Sequence, residues 1–298
     1  MATGNSYEQS TGIENSWVKA VRMVVKDKSP LLKNLKTAKA DQRLHQWHYD
    51  TAAKPTSNVG AVEGASTTTI APDNLSYGQN WCQIVKTAYA VSGTQVATSY
   101  NGIEDYLAYV TKKAMKKHGL DLEYALEVGT GNAGNITATA STAREVKGLS
   151  AWCVAQNTAG QTGTNFAGTA GEVALNDVLE AIVLDGEEAN SVLLSTLNKR
   201  RVSNWTESNK RYDNAEKKKV SVVSVYESDF GTVTFYTSTM VGDANVCVYD
   251  SEAIEIAYLR PTFKQNLAIT GDNVPFQVIS EATLVVKNPN ATGAVILA

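Results

Sequence analysis

Cysteine, histidine and proline are scarce in this chain, at three, three and six residues among 298. Cys82, Cys153 and Cys247 are odd in number, far apart and without a C-x-x-C pair, which argues against both a disulfide framework and a zinc knuckle. Each lies in an apolar or aromatic setting (WCQI, AWCVA, NVCVY) and reads as a buried structural thiol. Histidine clusters only in HQWHYD, where His45 and His48 fall on opposite sides of an extended segment and do not converge with Asp50. We expect neither a bound metal nor a cofactor. No run of about 18 apolar residues occurs, so no membrane partner is expected. The opening MATGNSYEQSTGIENSW has no basic start and no apolar run, which predicts synthesis in a cytoplasm. Four N-x-S/T sequons are then accidents of an Asn- and Thr-rich chain. Positive charge is not in excess either: a net charge of -3 gives no global attraction to nucleic acid or to an anionic bilayer.

Catalytic signatures are missing as well. The chain has no G-x-S-x-G elbow, no Walker loop and no H-E-x-x-H. Asp121 and Glu123 are two apart on an expected helix, so they face different ways and make a poor acid-base pair. The basic groups Lys199-Arg200-Arg201 and Lys217-Lys218-Lys219 have acidic neighbours, Glu207 and Glu216, and read as a solvated face or a subunit contact. One motif invites an enzymatic reading. Gly129, Gly131 and Gly134 in VGTGNAG match the G-x-G-x-x-G spacing of dinucleotide-binding loops. That loop works only where a strand ends at the first glycine and a helix begins near the third. Here the order is reversed: a helical pattern precedes Gly129, the β-branched NITATASTA follows Gly134, and only Glu145 stands near the place of the ribose carboxylate. A nucleotide-dependent enzyme is the rival from another class, to be decided by whether a strand precedes Gly129.

What the chain does contain is an ordinary globular composition, 43% hydrophobic and 19% charged, with enough length to bury a sizeable core. Ile103, Leu107, Val110, Ala114, His118, Leu122, Ala125 and Leu126 recur at three- and four-residue steps, predicting one long amphipathic helix over 102–128 with Lys112, Lys113, Lys116 and Lys117 on its polar side. Gly119 within it suggests a bend or a close backbone contact. Residues 31–41 (LLKNLKTAKAD) predict a short helix, after a polar arm with one apolar cluster at Trp17–Val25. RLHQWHYDTAA and QNWCQIVKTAYAVSG read as extended, joined by a long Thr/Ser/Gly-rich connection over 54–78. Connections of that length are uncommon in compact domains, and two strands with such a tip need a surface to lie on. Beyond Val146, ALNDVLEAIVLDG predicts a helix from Asn176 to Gly186, SVLLST a short buried strand, KKKVSVVSVYESDFGTVTFYTSTMV a hairpin turning at SDFG, and PFQVISEATLVVKN with GAVILA a last pair of strands. The mixture with antiparallel pairs indicates an α+β class.

The order SPLLKNL, HQWHYDTAA, AVEG, NWCQIVKTAYAVSGTQ, a long helix ending DLEYAL before a Gly-rich loop, and a closing SEATLVVKNP resembles the major capsid proteins of tailed bacteriophages with the Hong Kong-ninety-seven-type fold. The similarity runs from about Ser29 to the C-terminus. It implies an N-terminal arm over 1–29, a short helix over 30–42, an E-loop hairpin over 43–95, a peripheral domain with a spine helix over 96–145, an axial domain over 146–258 and strands returning to the peripheral domain over 259–298. The E-loop would touch the neighbouring subunit through Trp47, Tyr49, Asp50, Glu63, Trp81 and Gln83, while Ile103, Leu107, Val110, Ala114 and Leu122 form the inner face of the spine helix. The implied function is not enzymatic: self-assembly into hexamers and pentamers of an icosahedral virion shell around double-stranded DNA held by non-specific contact. The implied partners are further copies of the chain, a portal protein, a separate scaffold protein and a decoration protein. No motif matches the Lys–Asn cross-linking of some relatives, so no covalent chainmail is expected. An encapsulin-like nanocompartment shell with protein cargo is the nearest alternative.

Overall fold

The structure is a computed structural model that describes residues 29–50, 60, 62–64, 66, 75–100, 102–132, 142–161, 166–205, 212–213, 218–219 and 224–297. The Trp17–Val25 cluster, most of the 54–78 connection, the NITATA stretch, Gly134, Glu207 and Glu216 lie outside the described residues. In chain order the elements begin with α1 (Pro30–Asn34), β1 (Lys36–Lys39), β2 (Leu44–Tyr49), β3 (Ser76–Trp81), β4 (Gln83–Ser92), α2 (Gly93–Ala97) and α3 (Tyr106–Val128). They continue with α4 (Leu149–Val154), β5 (Thr158–Gln161), α5 (Gly168–Leu184), β6 (Ser191–Ser195), α6 (Thr196–Val202), β7 (Tyr212–Asp213) and β8 (Lys218–Lys219). The last are β9 (Val225–Ser228), β10 (Gly231–Ser238), β11 (Asn245–Tyr249), β12 (Ile254–Asn266), β13 (Asn273–Val286) and β14 (Thr292–Leu297).

Two larger sheets carry the body. One has the order β1-β12-β13-β4 and the other β5-β14-β11-β6-β10-β9. On β13 side chains alternate by the strand period of two, so Phe276, Val278, Ala282, Leu284 and Val286 form one row of buried groups. The apolar stripe of α3 covers that row: Val110 and Ala114 pack with Phe276 and Val278, and Leu122, Ala125 and Leu126 with Leu284 and Val286. The helix begins at Tyr106 because the Asp105 carboxylate accepts the Ala108 N–H at 3.0 Å, an N-cap of the usual kind. Ile103 therefore precedes the helix, bridging to Tyr100. On the second sheet, α5 buries Leu175, Val178, Leu179 and Ile182 against Val192, Leu194, Val246, Val248 and Val295. The opposite face of that sheet sets Leu193, Cys247, Tyr249 and Ala294 in the same core as Leu149, Trp152 and Cys153 of α4 and the C-terminal half of α3. That shared core joins the sheets, and all three cysteines are buried.

Several expectations need correction. Residues 31–41 do not make one helix: α1 stops after a single turn, and Lys36–Lys39 pair in parallel with Glu255–Tyr258 of β12. An open sheet edge outweighed the helical pattern there, since local propensity is a weak prior against strand pairing. The second extended segment divides at Cys82, its first part pairing with β2 and its second, β4, joining β13. The helix placed at Asn176 starts earlier, at Gly168, and Asn176 lies inside it with its amide donating to the Tyr226 hydroxyl at 3.3 Å. Its two early glycines disguised the start, although Gly171 has a packing role against the Phe166 backbone and Trp205. The final two strands do not stay together: β13 lies in the first sheet and β14 in the second, between β5 and β11. The hairpin at SDFG forms as expected, with Ser228 opposite Gly231.

Candidate assembly surface

Strands β2 and β3 make a two-stranded sheet of their own, antiparallel, with Leu44 opposite Trp81 and Tyr49 opposite Ser76. Large apolar groups stay uncovered along and beyond it: Tyr77 is 61% exposed, Leu75 62% and Val62 81%. Asp50 and Glu63 are exposed, and Tyr49 and Trp81 are half-buried. The root, by contrast, is firmly attached. Asn80 is buried, and its amide donates to the carbonyls of Lys147 at 3.0 Å and Leu284 at 2.8 Å while its oxygen accepts the N–H groups of Lys147 at 2.8 Å and Trp81 at 2.9 Å. Three of these four bonds tie β3 to β13 and to the segment that follows α3, and the side chain's polar capacity is fully used.

Trp47 and Gln83, expected at a subunit contact, use their side chains within this chain. Trp47 lies 6.1 Å from Trp152, whose other neighbour is the Lys147 ammonium at 3.8 Å from the ring centre. Burial pulls the Lys147 pKa down from its ordinary value. Opposite Trp47 stands Gly78, where a methyl group would come 2.5 Å from the indole, so the strand pair closes only over a glycine. The Gln83 amide oxygen accepts the Val146 N–H at 3.1 Å. Beside it, Glu281 of β13 is gripped by Arg144 Nη2 and Arg260 Nε, each at 2.9 Å. A buried carboxylate between two guanidiniums is a geometry of specific registration, because either charge alone would be costly to bury. Burial first, and the charge of Glu281 second, push the neighbouring Cys82 thiol up to about 11.

The helix α3 carries buried polar groups that no hydrophobic pattern reveals. Glu123 accepts the N–H groups of Leu31 at 2.6 Å and Leu32 at 3.0 Å, capping α1 from a distant part of the chain. His118, 1% exposed, lies between β4 and β13: Nε2 is 2.8 Å from Ser280 Oγ and Nδ1 is 3.4 Å from Thr87 Oγ1. Thr87 has one hydroxyl proton, which it donates to Asp121 at 3.1 Å. His118 Nδ1 then donates to Thr87, and in the neutral imidazole that burial favours Nε2 accepts from Ser280. Burial lowers the His118 pKa, opposed by Asp121. Of the expected inner-face residues, Val110, Ala114 and Leu122 are buried and Leu107 and Ile103 half-buried. Among the described residues a methyl at Gly119 would meet no atom within 4 Å, so of the expected bend or close contact no close contact is found there.

The glycine motif can now be assigned. The helix α3, not a strand, runs into Gly129, which caps its C-terminus, and a methyl there would collide with the Val146 carbonyl oxygen. Gly131 bonds the same carbonyl through its N–H at 3.1 Å. These glycines let the chain pass close to residues 145–148, and the order of elements removes the dinucleotide-loop reading. Among the described residues no group of three or more His, Cys, Asp and Glu side chains is placed to hold a metal, and no helix is long and apolar enough to cross a membrane. A polar depression of about 480 Å³ is lined by Glu187, Glu188, Asp250 and Glu252, but Asn288 and Asn190 already bond Glu187 and Asp250.

Residues 2–297 match the model of the SU10 major capsid protein family. The chain belongs to that family. It is a major capsid protein of a tailed phage, a structural component of the virion capsid and not an enzyme. The match favours the phage shell over the encapsulin-like alternative. The α+β capsid fold also agrees with solved structures. The Cyanophage A-1(L) capsid asymmetric unit shares 12% identity at a TM-score of 0.70, covering 98% of this chain and 99% of that one. The capsid of a native GTA particle shares 13% at 0.68 with both chains covered in full. The capsid of Myoviridae phage XM1 shares 12% at 0.63, covering 95% and 97%. Among curated proteins no sequence matches the chain.

Proposed function

We propose that copies of this capsid protein tile into the hexamers and pentamers of an icosahedral shell around double-stranded DNA, with the β2–β3 hairpin as the E-loop and α3 as the spine helix. The observation that carries the reading is the contrast within the hairpin. Its root spends every bond of Asn80 inside the subunit, whereas Leu75, Tyr77 and Val62 remain uncovered. Large aromatic side chains such as Tyr77 anchor interfaces, and uncovered aliphatic groups grouped with them mark a contact surface. In this account Tyr49, Asp50, Glu63 and Trp81 meet the neighbouring subunit, and Trp47 and Gln83 set the angle at which the hairpin leaves. Modest pairwise contacts suffice, because a closed symmetric lattice repeats them many times. A portal protein, a scaffold protein and a decoration protein are the further partners of such a shell.

The test replaces residues 51–74 by Asn-Gly, which keeps the β2–β3 register and removes the tip. The subunit should melt as the parent does, since the core lies elsewhere, while electron microscopy of expression with scaffold and portal should show no shells. Normal shells from the shortened chain would refute the E-loop assignment, and failure to fold would place the tip in the core.

A further inference from the structure

The two sides of α3 differ in kind. One is buried through Val110, Ala114, His118 and Leu122. The other carries Lys112, Lys113, Lys116 and Lys117, all exposed, with the exposed Lys264 of β12 beside them. Helical spacing stacks Lys112 on Lys116 and Lys113 on Lys117, with Cβ atoms about 5–6 Å apart, an arrangement of like charges that opposes the helix. Exposed helices commonly relieve such repulsion with an acid four residues away. Lys117 has one, Asp121 at 2.8 Å. Among the described residues no carboxylate stands within ion-pair distance of Lys112, Lys113 or Lys116. The chain as a whole carries a net charge of -3, so this face departs from its background.

We infer that this lysine face of α3 is the surface on which the subunit meets the phosphate backbone of the enclosed duplex, an inference that rests on the shell reading above. The layout fits a polyanion that runs across the helix. A groove of about 410 Å³ on the flank of α3, floored by Leu107, Ala108 and Met115, could take an apolar anchor of an acidic peptide, yet only Lys112 and Lys264 among these lysines line it. Lys113, Lys116 and Lys117 form part of an array that does not converge on the groove. Lysine is a point charge that reads no base, so the contact is independent of sequence. Three uncompensated ammonium groups per subunit make each contact weak and salt-sensitive, with a log–log salt slope of about -3. Repetition over the shell makes the sum appreciable, while the small charge per subunit leaves the duplex releasable.

Fluorescence anisotropy of a labelled mixed-sequence duplex, titrated with unassembled subunit between about 50 and 200 mM salt, tests this. The parent should bind with a slope of about -3, and Lys112→Gln, Lys113→Gln and Lys116→Gln together should weaken binding about tenfold or more at the low-salt end and flatten the slope. Lys33→Gln, Lys36→Gln and Lys39→Gln, which change net charge equally at other exposed positions, should change affinity less than about twofold. Equal losses in the two variants, or no binding by the parent, would overturn the inference. Displacement by poly-L-glutamate at lower charge concentration than by unlabelled duplex would overturn it in favour of an acidic protein partner. Electron microscopy separates the two readings: both variants should still form shells. Loss of shells in the α3 variant alone makes this face a subunit contact and overturns the inference, whereas a parent that never forms shells refutes the capsid assembly itself.

Discussion

Replacing Asn80 by alanine should detach the hairpin root without touching any exposed contact. The side chain is 2% exposed and makes four hydrogen bonds of 2.8–3.0 Å. At about 1 kcal/mol net for each bond, the loss comes to about 4 kcal/mol. Alanine is too small to seal the site, so the Leu284 carbonyl and the Lys147 N–H and carbonyl depend on water reaching them, which sets a floor of about 2 kcal/mol. Asn80→Asp is the informative companion: it keeps the oxygen that accepts both N–H groups but turns a carboxylate oxygen toward the two carbonyls, so it should cost at least as much as alanine. Chemical denaturation of the unassembled subunit gives the loss, and hydrogen exchange locates it, with protection falling first at Trp81, Cys82 and residues 146–148. A loss below about 2 kcal/mol for Asn80→Ala would refute the reasoning, because bonds of this length in so buried a place cannot be that cheap to remove.

Two further outcomes follow from α3. Gly119→Ala should stabilise the subunit by about 1 kcal/mol, as expected for an interior helix glycine with open space around it; a stabilised subunit that no longer builds shells would mean that a neighbour lies against Gly119. For His118 the lowered pKa means that the unfolded chain takes up its proton first as pH falls. Stability should therefore decline as pH drops through the window just below the ordinary value of 6.5 and show no contribution from this residue above it. His118→Gln should remove that slope in denaturant titrations across about pH 5 to 8, and an unchanged slope would place the titration elsewhere.

The parts of the fold that the sequence discloses are those where one periodicity runs long enough to dominate. The α3 stripe from Val110 to Leu126 is such a case, and so are the alternations of β10 and β13. What stays hidden depends on partners far along the chain. Lys36–Lys39 look helical by neighbours alone and become a strand because β12 offers an edge. Asn80 looks like any turn-forming residue, and nothing local announces that two backbone carbonyls from different segments converge on it. Glu123 and His118 sit on the stripe as apparent exceptions, and a polar group on an apolar face is the one local signal that could have marked them. Trp47 and Gln83 show the limit from the other side, since residue type suggests an interface anchor but cannot say whether the pocket belongs to the same subunit.

The sheet order described above has a consequence for synthesis. Lys36 of β1 pairs with Glu255 of β12, and β14 is inserted between β5 and β11 rather than added at an edge. Neither sheet can be completed while β12 to β14 are still within the ribosome, and a chain emerging at about 5–20 residues per second spends many seconds in that state. Such non-local pairing is slow to form because the entropy of closing long loops precedes any contact. The β2–β3 hairpin root would be held by Leu284 of β13 only at the end. A nascent chain therefore presents the exposed Leu75 and Tyr77 of the hairpin before it has the frame that aims them.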